Sequence, residues 1–425
     1  MKAPNSTASL RALTEGNVLT EFCLFDRTIE IDSVLGKLVA VAVIAGYSRT
    51  PFGKYRGSLS EYSAVTLGMK AISGLLESMD VSPESGIVDG VYMGMVLQGG
   101  AGQAPARQAA LGAGLPLKTP ATTLNKVCGS SLKAVMIAAS EIEAGRSDVL
   151  IAGGMESMSN APMIARGVPK GEPVEYSSLV SIMQNDGLRD AFSGESMGIT
   201  GENIAIEEGV TRSDADKYAL QSHDRASKAW SKGWMGKEVI TMSNLDKDEG
   251  IRDNSTMEIL SKLNPVFLDG GIVTAGNSSQ VSDGAAALMI CSEEAATREG
   301  WPIISRIIDF ETSGVEPSRV MSAPIPCIQS LLERNNLKAE NIDLYEHNEA
   351  FATASCGIRE HFSIDNDRFN VHGGAVAIGH PLGASGARCL MTLVNALERT
   401  GGTLGIVTLC LGGGNAVGML VSRDG

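Results

Sequence analysis

The sequence predicts an α/β fold that is built from two similar halves. Apolar segments of strand length alternate with amphipathic segments of helix length through most of the 425 residues. Aromatic residues make up only 4% of the chain and glycine accounts for 49 residues, so helices and sheets must pack through small side chains. The last third repeats the order of elements in the first third. This combination is typical of a duplicated α/β protein.

The first third contains strands and helices in alternation, beginning at residue 37. An apolar run followed by a turn predicts a buried first strand, and later apolar runs ending in glycine predict further strands. The predicted elements are a strand and turn at 37–53, a helix at 61–80, a strand at 85–97, a helix after Cys128, and a strand at 147–157 that ends in Gly-Gly.

The middle of the chain has a different character from the parts that flank it. Residues 160–270 are more polar and contain two of the three tryptophans. Within them, 211–230 form an amphipathic pattern that predicts a helix, with Ser213 as a plausible N-cap. We interpret 160–270 as an insertion on the α/β core. Residues 276–294 then return to a loop followed by a strand.

The last third reproduces the order of the first. Residues 341–352 are an apolar strand entering a turn, 379–398 a turn entering a helix, and 404–414 a strand ending in glycines. Asp89 precedes Cys128 by 39 positions, and Asp343 precedes His380 by 37. If the two halves pack around a pseudo-twofold axis, Cys128 and His380 occupy equivalent helix starts and face each other.

These patterns give a predicted domain organisation. Residues 1–36 do not continue the α/β pattern and are interpreted as a peripheral extension. The N-terminal half comprises 37–159 together with 271–300, the inserted loop domain is 160–270, and the C-terminal half is 301–425.

Bulk composition excludes several classes of protein. The net charge of −14 and the lack of a long basic run argue against nucleic acid as a partner. The seven cysteines are odd in number, and no CxxC pair suggests a metal, so we expect neither a disulfide framework nor a metal site. A reducing, cytoplasmic setting follows. No run of 18 apolar residues predicts a membrane span.

Cys128 directly precedes Gly129, Ser130 and Ser131 at the predicted start of a helix. Free backbone N–H groups and the positive end of the helix dipole favour a thiolate at such a position, and the thiolate is the nucleophilic form. The alternative is that Cys128 is a small buried apolar residue, as free cysteines often are.

Two further candidate residues lie next to glycines, as Cys128 does. His380 lies in AIGHPLGASG, and Cys410 lies in TLCLGGG. Glycine allows a ligand to approach the backbone and exposes N–H groups to an oxyanion. Asn348 follows an apolar strand, where it can position a water or a carbonyl oxygen, or alternatively cap a helix.

The chain closely resembles the thiolase family from about residue 38 to its end. The resemblance is carried by eight motifs in order: SRTPFGKYRGSL, GQAPARQAAL, NKVCGSSLKAV, AGGMESMSNAP, TAGNSSQVSDGAAA, HNEAFA, HGGAVAIGHPLGASGAR and TLCLGGG. It implies a thiolase fold, with two α/β halves in a five-layer αβαβα core and a loop domain over the active site. It also implies a homodimer or a homotetramer built as a dimer of dimers.

The resemblance implies a role for each candidate residue. Cys128 is the acyl-accepting nucleophile, and His380 activates it and helps to hold the thioester oxygen. Cys410 is the acid/base that moves the α-proton of the second acyl-CoA. Asn348 positions a water in one oxyanion hole, and the N–H groups of Cys128 and Gly412 form the other.

The family also implies residues that bind coenzyme A (CoA), which is a substrate and product, with no separate cofactor expected. By position, Arg252 lies near the adenine end and Ser279 meets the CoA chain. Met197 and Phe351 match positions that line the acyl pocket. From the residues alone, Arg252 can equally be a solvated surface residue, and Met197 and Phe351 can be plain core.

Three positions depart from the usual family pattern. Ser196 stands where many biosynthetic members have histidine, His347 where a small residue is usual, and His372 where many members have asparagine. His347 adjoins Asn348 and either perturbs the oxyanion water or points elsewhere. For His372 we expect a supporting role away from the reacting atoms.

The expected function is an acyl-CoA C-acyltransferase that converts two acetyl-CoA reversibly into acetoacetyl-CoA and CoA through an acyl-cysteine. The close alternative is thiolytic cleavage of longer 3-ketoacyl-CoA. A non-catalytic acyl-binding module would not need Cys128, Asn348, His380 and Cys410 together. A decarboxylating condensing enzyme of the same fold would lack the cysteine at position 410.

Overall fold

The computed structural model describes residues 21–24, 27–30, 40–165, 167, 170–171, 173, 175 and 178–423. Contacts divide the chain into two units, Met1–Val39 and Ala40–Gly425. In the first unit, β1 (Glu21–Leu24) and β2 (Arg27–Glu30) form an antiparallel hairpin. The rest of the predicted extension at 1–36 lies outside the described residues.

The larger unit alternates strands and helices, as the sequence predicts. Its strands are β3 (Ala42–Arg49), β4 (Gly53–Lys54), β5 (Gly90–Gly94), β6 (Ala121–Leu124), β7 (Val149–Ser157), β8 (Met163–Ile164), β9 (Val180–Ser181), β10 (Ser282–Ser292), β11 (Ser305–Gly314), β12 (Leu344–His347), β13 (Leu404–Leu411) and β14 (Asn415–Ser422). Its α-helices are α1 (Ala64–Ser78), α2 (Pro105–Gly112), α3 (Ser130–Glu143), α4 (Met197–Glu207), α5 (Arg212–Ser231), α6 (Met257–Ser261), α7 (Glu293–Glu299), α8 (Pro324–Arg334), α9 (Ala352–His361), α10 (Ala375–Ile378) and α11 (Ser385–Thr400).

The strands form two half-sheets with the same topology. One half has the order β6-β5-β7-β10-β3, and the other has β12-β13-β14-β11. A parallel bridge between Tyr345 and Phe369 places residue 369 beside β12, as β6 lies beside β5. The halves join where Ser305 and Arg306 of β11 pair with Ile44 and Val43 of β3. This repeat confirms the duplication predicted from the sequence.

The central strands are apolar along their whole length because both of their faces are covered. Every residue of β3, β7 and β10 is buried. A strand buried on both sides cannot alternate apolar with polar residues, so it consists of a continuous run of small and apolar side chains. The runs VLIAGG and GAAALMI in β7 and β10 follow this rule, which is why the sequence located these strands well.

Three apolar clusters define the layers of the fold. The central cluster joins α3 and α11 to the inner faces of both half-sheets. A second cluster packs α1 and α2 on the outer face of the N-terminal half-sheet. A third packs α8 and α9 on the outer face of the C-terminal half-sheet. The succession of helices, sheet, helices, sheet and helices confirms the predicted five-layer αβαβα core.

The two central helices meet at their N-terminal ends, where the site lies. Ala387 of α11 donates its backbone N–H to Ser131 Oγ of α3 at 2.9 Å. A Cβ atom on Gly386 would lie 2.6 Å from the backbone nitrogen of Leu132, so only glycine permits this approach. The contact brings the segments that precede the two helices, with Cys128 and His380, into one region.

The predicted cap of the long helix in the middle of the chain is wrong by two residues. Thr211, not Ser213, is the N-cap of α5, and it forms a reciprocal capping box with Asp214. Ser213 lies inside the first turn because Thr211 and Asp214 have the three-residue spacing that satisfies two free N–H groups. Among the described residues, no helix is long and apolar enough to cross a membrane.

Candidate active site

Cys128 lies on a strained turn between β6 and α3. The preceding residue, Val127, has a φ of +47°, which a β-branched residue rarely adopts. Asn125 Oδ1 accepts the Val127 N–H at 2.8 Å, and Ser130 Oγ donates to the Val127 carbonyl at 2.6 Å. These hydrogen bonds hold the turn against its strain and fix the position from which the Cys128 side chain projects.

His380 lies between α10 and α11 and is only 6% exposed. Ser385 Oγ donates to the Pro381 carbonyl at 2.9 Å, so it accepts from His380 Nδ1 at 2.6 Å. The imidazole therefore carries its proton on Nδ1, and Nε2 is the unprotonated nitrogen. Burial, with the nearby Arg388 charge, lowers the pKa of His380 to about 3. The ring is a neutral base at physiological pH.

Asn348 is fully buried beside His380. Its Nδ2 lies 3.4 Å from His380 Nε2, and its Oδ1 lies 3.9 Å from the Cys389 sulfur. Its backbone N–H donates to the Thr408 carbonyl at 3.0 Å. The alternative role as a helix cap is wrong, because Phe351 is the N-cap residue of α9. The amide instead faces the imidazole.

Cys410 is the penultimate residue of β13 and is 2% exposed. Its sulfur lies 3.4 Å from that of Met321. Burial, with a smaller effect from the neighbouring Cys128, raises the pKa of the Cys410 thiol. Gly412 follows directly after this strand, and its backbone N–H points toward the Cys128 sulfur. The strand therefore carries both a second thiol and a hydrogen-bond donor to the site.

The pKa of Cys128 contradicts the thiolate expected from its place at a helix start. Burial raises this pKa to about 12, although the N–H groups of Cys128 and Gly412 pull it downward. The free-energy cost of removing the thiolate from water exceeds the stabilisation that the helix N-terminus and the two N–H donors provide. Cys128 is therefore a thiol at rest, and it can act as a nucleophile only if a base takes its proton.

One pocket of about 420 Å³, including the space at its mouth, brings most of the predicted residues together. Its lining includes Cys128, Met197, Ser279, Phe351, His380, Cys410 and Gly412. A second chamber of about 550 Å³ shares Met197, Ser279, Phe351 and His380 with it. Cys128 and His380, from equivalent places in the two halves, thus line the same pocket.

Arg252 is not brought to this pocket. Its side chain is exposed, and its backbone N–H donates to His223 Nδ1 at 3.2 Å. Burial and the Arg252 charge lower the pKa of His223 to about 4, so this imidazole is a neutral acceptor. Ser279, by contrast, is held at the pocket wall by its backbone N–H, which donates to Ala350 at 3.0 Å.

The three departures from the family pattern have structural explanations. Ser196 caps α4 and lines the second chamber. The His347 ring contacts Ser355 at 2.9 Å and lies near Phe369, so it points away from the pocket-lining residues. His372 stacks on Trp234 and accepts a hydrogen bond from Arg399 at 2.8 Å.

Several residues of the site were missed by sequence reasoning. Leu188, Val320, Met321 and Leu382 line the pocket, and Ser385 fixes the imidazole tautomer. Apolar wall residues carry no local signal, because any buried side chain has the same character. Ser385, five residues after His380, was detectable as a hydroxyl near the helix start. Among the described residues, no group of His, Cys, Asp and Glu is arranged to hold a metal ion.

Comparison with known proteins agrees with this geometry. Residues 41–294 match the family model for the thiolase N-terminal domain, and 301–423 match that for the thiolase C-terminal domain. An acetyl-CoA acetyltransferase of Chromobacterium violaceum is 42% identical over 392 residues, covering 90% of this chain and 99% of its own. A probable acetyl-CoA acyltransferase of Staphylococcus aureus is 39% identical over 390 residues, covering 90% of this chain and 98% of its own.

Solved structures show the same relationship. A thiolase of Ascaris suum in complex with coenzyme A has a TM-score of 0.85 and 36% identity, covering 90% of this chain and all of its own. The acetyl-CoA acetyltransferase of Bacillus anthracis has a TM-score of 0.86 and 33% identity, covering 91% of this chain and 99% of its own. The paired half-sheets, the converging cysteines and these matches together place the chain in the thiolase family.

Proposed function

We propose that this thiolase is an acyl-CoA C-acyltransferase that condenses two acetyl-CoA into acetoacetyl-CoA and CoA, reversibly. The observation that carries the proposal is that an imidazole with an unprotonated Nε2 and two thiols line one pocket with a backbone N–H donor. Relatives named acetyl-CoA acetyltransferase support the choice of acetyl-CoA.

In the first half-reaction, His380 Nε2 takes the proton of Cys128 as the sulfur attacks the thioester carbonyl. The proton then passes to the departing CoA sulfur. Because burial disfavours both the free thiolate and the imidazolium, proton transfer accompanies carbon–sulfur bond formation rather than preceding it. Splitting the transfer through an acyl-cysteine makes each step easier than direct condensation.

In the second half-reaction, His380 Nε2 takes the proton of the Cys410 thiol, and the resulting thiolate removes the α-proton of the second acetyl-CoA. The carbanion attacks the acetyl-Cys128 carbonyl, and the His380 imidazolium returns its proton to the Cys128 sulfur when that sulfur leaves, so both cysteines end as thiols. A thiolate whose conjugate thiol has a raised pKa is a stronger base than an ordinary thiolate. The burial that raises the pKa of Cys410 therefore suits it to a weakly acidic carbon.

Two sets of donors hold the oxyanions in this proposal. The N–H groups of Cys128 and Gly412 converge on the Cys128 side chain and hold the oxygen of the acyl-cysteine intermediate. Asn348 and His380, whose polar atoms lie 3.4 Å apart, serve the thioester of the second substrate, with Asn348 positioning a water. Each such donor typically contributes ~3 kcal/mol to transition-state stabilisation.

We expect this enzyme to prefer short acyl chains. Met197, Val320, Met321 and Phe351 line the pocket that holds the two thiols, so we expect added methylenes to crowd these side chains. Thiolysis of acetoacetyl-CoA should exceed that of 3-ketooctanoyl-CoA by about tenfold or more in kcat/KM. Replacing Met197 with alanine should lower the ratio of kcat/KM for acetoacetyl-CoA to that for 3-ketooctanoyl-CoA. A chain-length profile of both proteins measures it.

The matched control is Met69→Ala, at a half-buried methionine of α1 on the outer face. Its chain-length ratio should equal that of the unmodified protein. Equal or faster thiolysis of 3-ketooctanoyl-CoA by the unmodified protein would favour the alternative function, cleavage of longer 3-ketoacyl-CoA.

We also propose that Arg252 binds a CoA phosphate, although the structure leaves it exposed and outside the pocket lining. A net charge of −14 makes local cations important for an anionic ligand. Arg252→Ala should raise the KM for CoA about fivefold and leave kcat nearly unchanged. A fivefold change corresponds to the loss of one charge-assisted contact of ~1 kcal/mol. Initial rates against CoA concentration measure this effect.

Arg146→Ala, another exposed arginine, is the control and should leave the KM for CoA unchanged. An unaltered KM in the Arg252 variant would remove this residue from the CoA site. The binding roles of Ser279, Met197 and Phe351 are part of the same proposal.

Three broader features are proposed from the family resemblance. Residues 160–270 form a loop domain over the site, and the chain assembles as a homodimer or homotetramer. Leu117, which is 81% exposed, is one apolar side chain that self-association can cover. A cytoplasmic role in lipid metabolism suits an enzyme whose two pocket thiols must stay reduced.

A further inference from the structure

Glu156, in β7, makes contacts that the mechanism above does not use. The carboxylate is fully buried and accepts three backbone N–H groups. Oε2 accepts from Val96 at 3.0 Å and from Gly383 at 2.9 Å, and Oε1 accepts from Leu97 at 3.1 Å. Val96 and Leu97 belong to the N-terminal half, and Gly383 belongs to the loop that carries His380. One side chain thus bridges both halves of the molecule.

The N-terminal contacts of Glu156 lead directly to the turn at Cys128. The Val96 carbonyl, in the same residue whose N–H binds Glu156, accepts from Asn125 Nδ2 at 3.4 Å. Asn125 Oδ1 in turn accepts the N–H of Val127, the strained residue next to Cys128. A continuous set of hydrogen bonds therefore runs from the nucleophile's turn through Glu156 to Gly383.

The loop that carries His380 also packs tightly on the strand that carries Glu156. A Cβ atom on Gly154 would lie 1.9 Å from the Gly383 carbonyl oxygen. A Cβ atom on Gly383 would lie 2.8 Å from the Met155 carbonyl and 3.0 Å from Glu156 Oε2. The backbone of the loop that carries His380 is therefore packed directly against β7, beside the Glu156 carboxylate.

We propose that Glu156 is a positioning residue that fixes the separation between Cys128 and His380. It acts by joining the segment that supports the Cys128 turn to the loop that holds the imidazole. The carboxylate accepts its hydrogen bonds from the backbone of Val96, Leu97 and Gly383, and not from Cys128 or His380. Its kinetic consequence rests on the proposed function, but its effect on proton transfer from Cys128 to His380 does not require acetyl-CoA.

A purely electrostatic role makes the opposite prediction. The negative charge of Glu156 raises the pKa of Cys128 slightly. Removing that charge would favour the thiolate and accelerate alkylation of Cys128. Loss of positioning would slow alkylation, because His380 would no longer lie where it can take the proton. The direction of the rate change therefore separates the two roles.

The experiment compares Glu156→Asp with Glu156→Gln at pH 8. Aspartate keeps the charge but is one methylene shorter, so it cannot bridge the three N–H groups. Glutamine keeps the length but presents an amide N–H to one of those donors. We expect both variants to be alkylated at Cys128 by iodoacetamide about tenfold more slowly than the unmodified protein. We also expect kcat to fall by a similar factor and KM to change less than twofold.

Glu202→Asp is the matched control, because Glu202 is also buried and accepts backbone N–H groups, those of Ile272 and Val273. It should leave the alkylation rate unchanged. Repeating Glu156→Asp in a His380→Gln background should give no further slowing, since Glu156 acts through His380.

The proposal would be overturned if Glu156→Asp left the alkylation rate unchanged and Glu156→Gln increased it. That result would show that Glu156 acts through its charge. Slowing that persists in the His380→Gln background, or an equal slowing in Glu202→Asp, would also overturn the proposal. If the unmodified protein is alkylated at Cys128 but does not use acetyl-CoA, the proposed function fails and the alkylation result still decides the role of Glu156.

Discussion

Cys128→Ala should abolish thiolysis and condensation, with a rate loss of ~10⁴-fold or more. Removing a nucleophile ends the covalent route, and only substrate binding and the oxyanion donors are left. The alanine fits the space without strain, so the fold is retained. Initial rates of acetoacetyl-CoA cleavage, followed as loss of the substrate, measure the effect. Thermal unfolding shows whether stability is preserved.

The control for this variant is Cys291→Ala. Cys291 is a fully buried cysteine on β10 and lies outside the pocket lining. The same chemical change there should cost some stability but little activity, because a small cavity is left in a packed core. A Cys128→Ala protein that still cleaves acetoacetyl-CoA at more than one hundredth of the original rate would contradict the nucleophile assignment.

Cys410→Ala should lose condensation by ~10²–10⁴-fold, the usual effect of removing a positioned acid/base. The variant keeps Cys128, His380 and the N–H of Gly412, so acylation should survive. Loss of the base should appear as loss of hydrogen–deuterium exchange at the acetyl methyl group of acetyl-CoA. Nuclear magnetic resonance of acetyl-CoA in heavy water measures this exchange directly.

Cys327→Ala, at another buried cysteine of the C-terminal half, is the matched control and should exchange at the normal rate. Normal exchange in Cys410→Ala would show that another group removes the α-proton. Cys389 would then be the next thiol to test, since its sulfur approaches Asn348.

The duplicated α/β arrangement was predictable from the residue patterns, whereas the five-layer order followed from the family resemblance. Runs such as GAAALMI in β10 fit strands that are buried on both faces, and the repeated order of strand, turn and helix indicates a duplication. Helix ends were less accurate. Ser213 looked like a cap, but Thr211 and Asp214 share the two reciprocal bonds that define the start of α5.

The convergence of Cys128 and His380 was also predictable, because they occupy equivalent helix starts in the two halves, whereas the place of Cys410 in the site followed from the family resemblance. The electrostatics of these residues were not predictable. A helix start favours a thiolate in isolation, but burial outweighs it at Cys128 and raises the pKa to about 12. The extent of desolvation depends on segments far apart in the chain, so no local motif reveals it.

Hydrogen bonds that stabilise the site between residues distant in sequence could not be predicted from the sequence. Glu156 and Gly383 are separated by 227 positions, yet they share a hydrogen bond of 2.9 Å. Val127 gives no sequence sign of its positive φ, since β-branched residues normally avoid that region. Such features arise when the two halves pack, and each is visible only once the backbone is placed.

The division of labour between the two cysteines is tested most directly by trapping the acyl group. Each purified variant is mixed with acetyl-CoA carrying a radiolabelled acetyl group, then denatured and digested, and the labelled peptide is identified. Cys410→Ala should retain one acetyl group per chain on Cys128, and Cys128→Ala should retain none. Label on Cys410 in the Cys128→Ala protein, or an unlabelled Cys128 in the Cys410→Ala protein, would contradict the proposed mechanism.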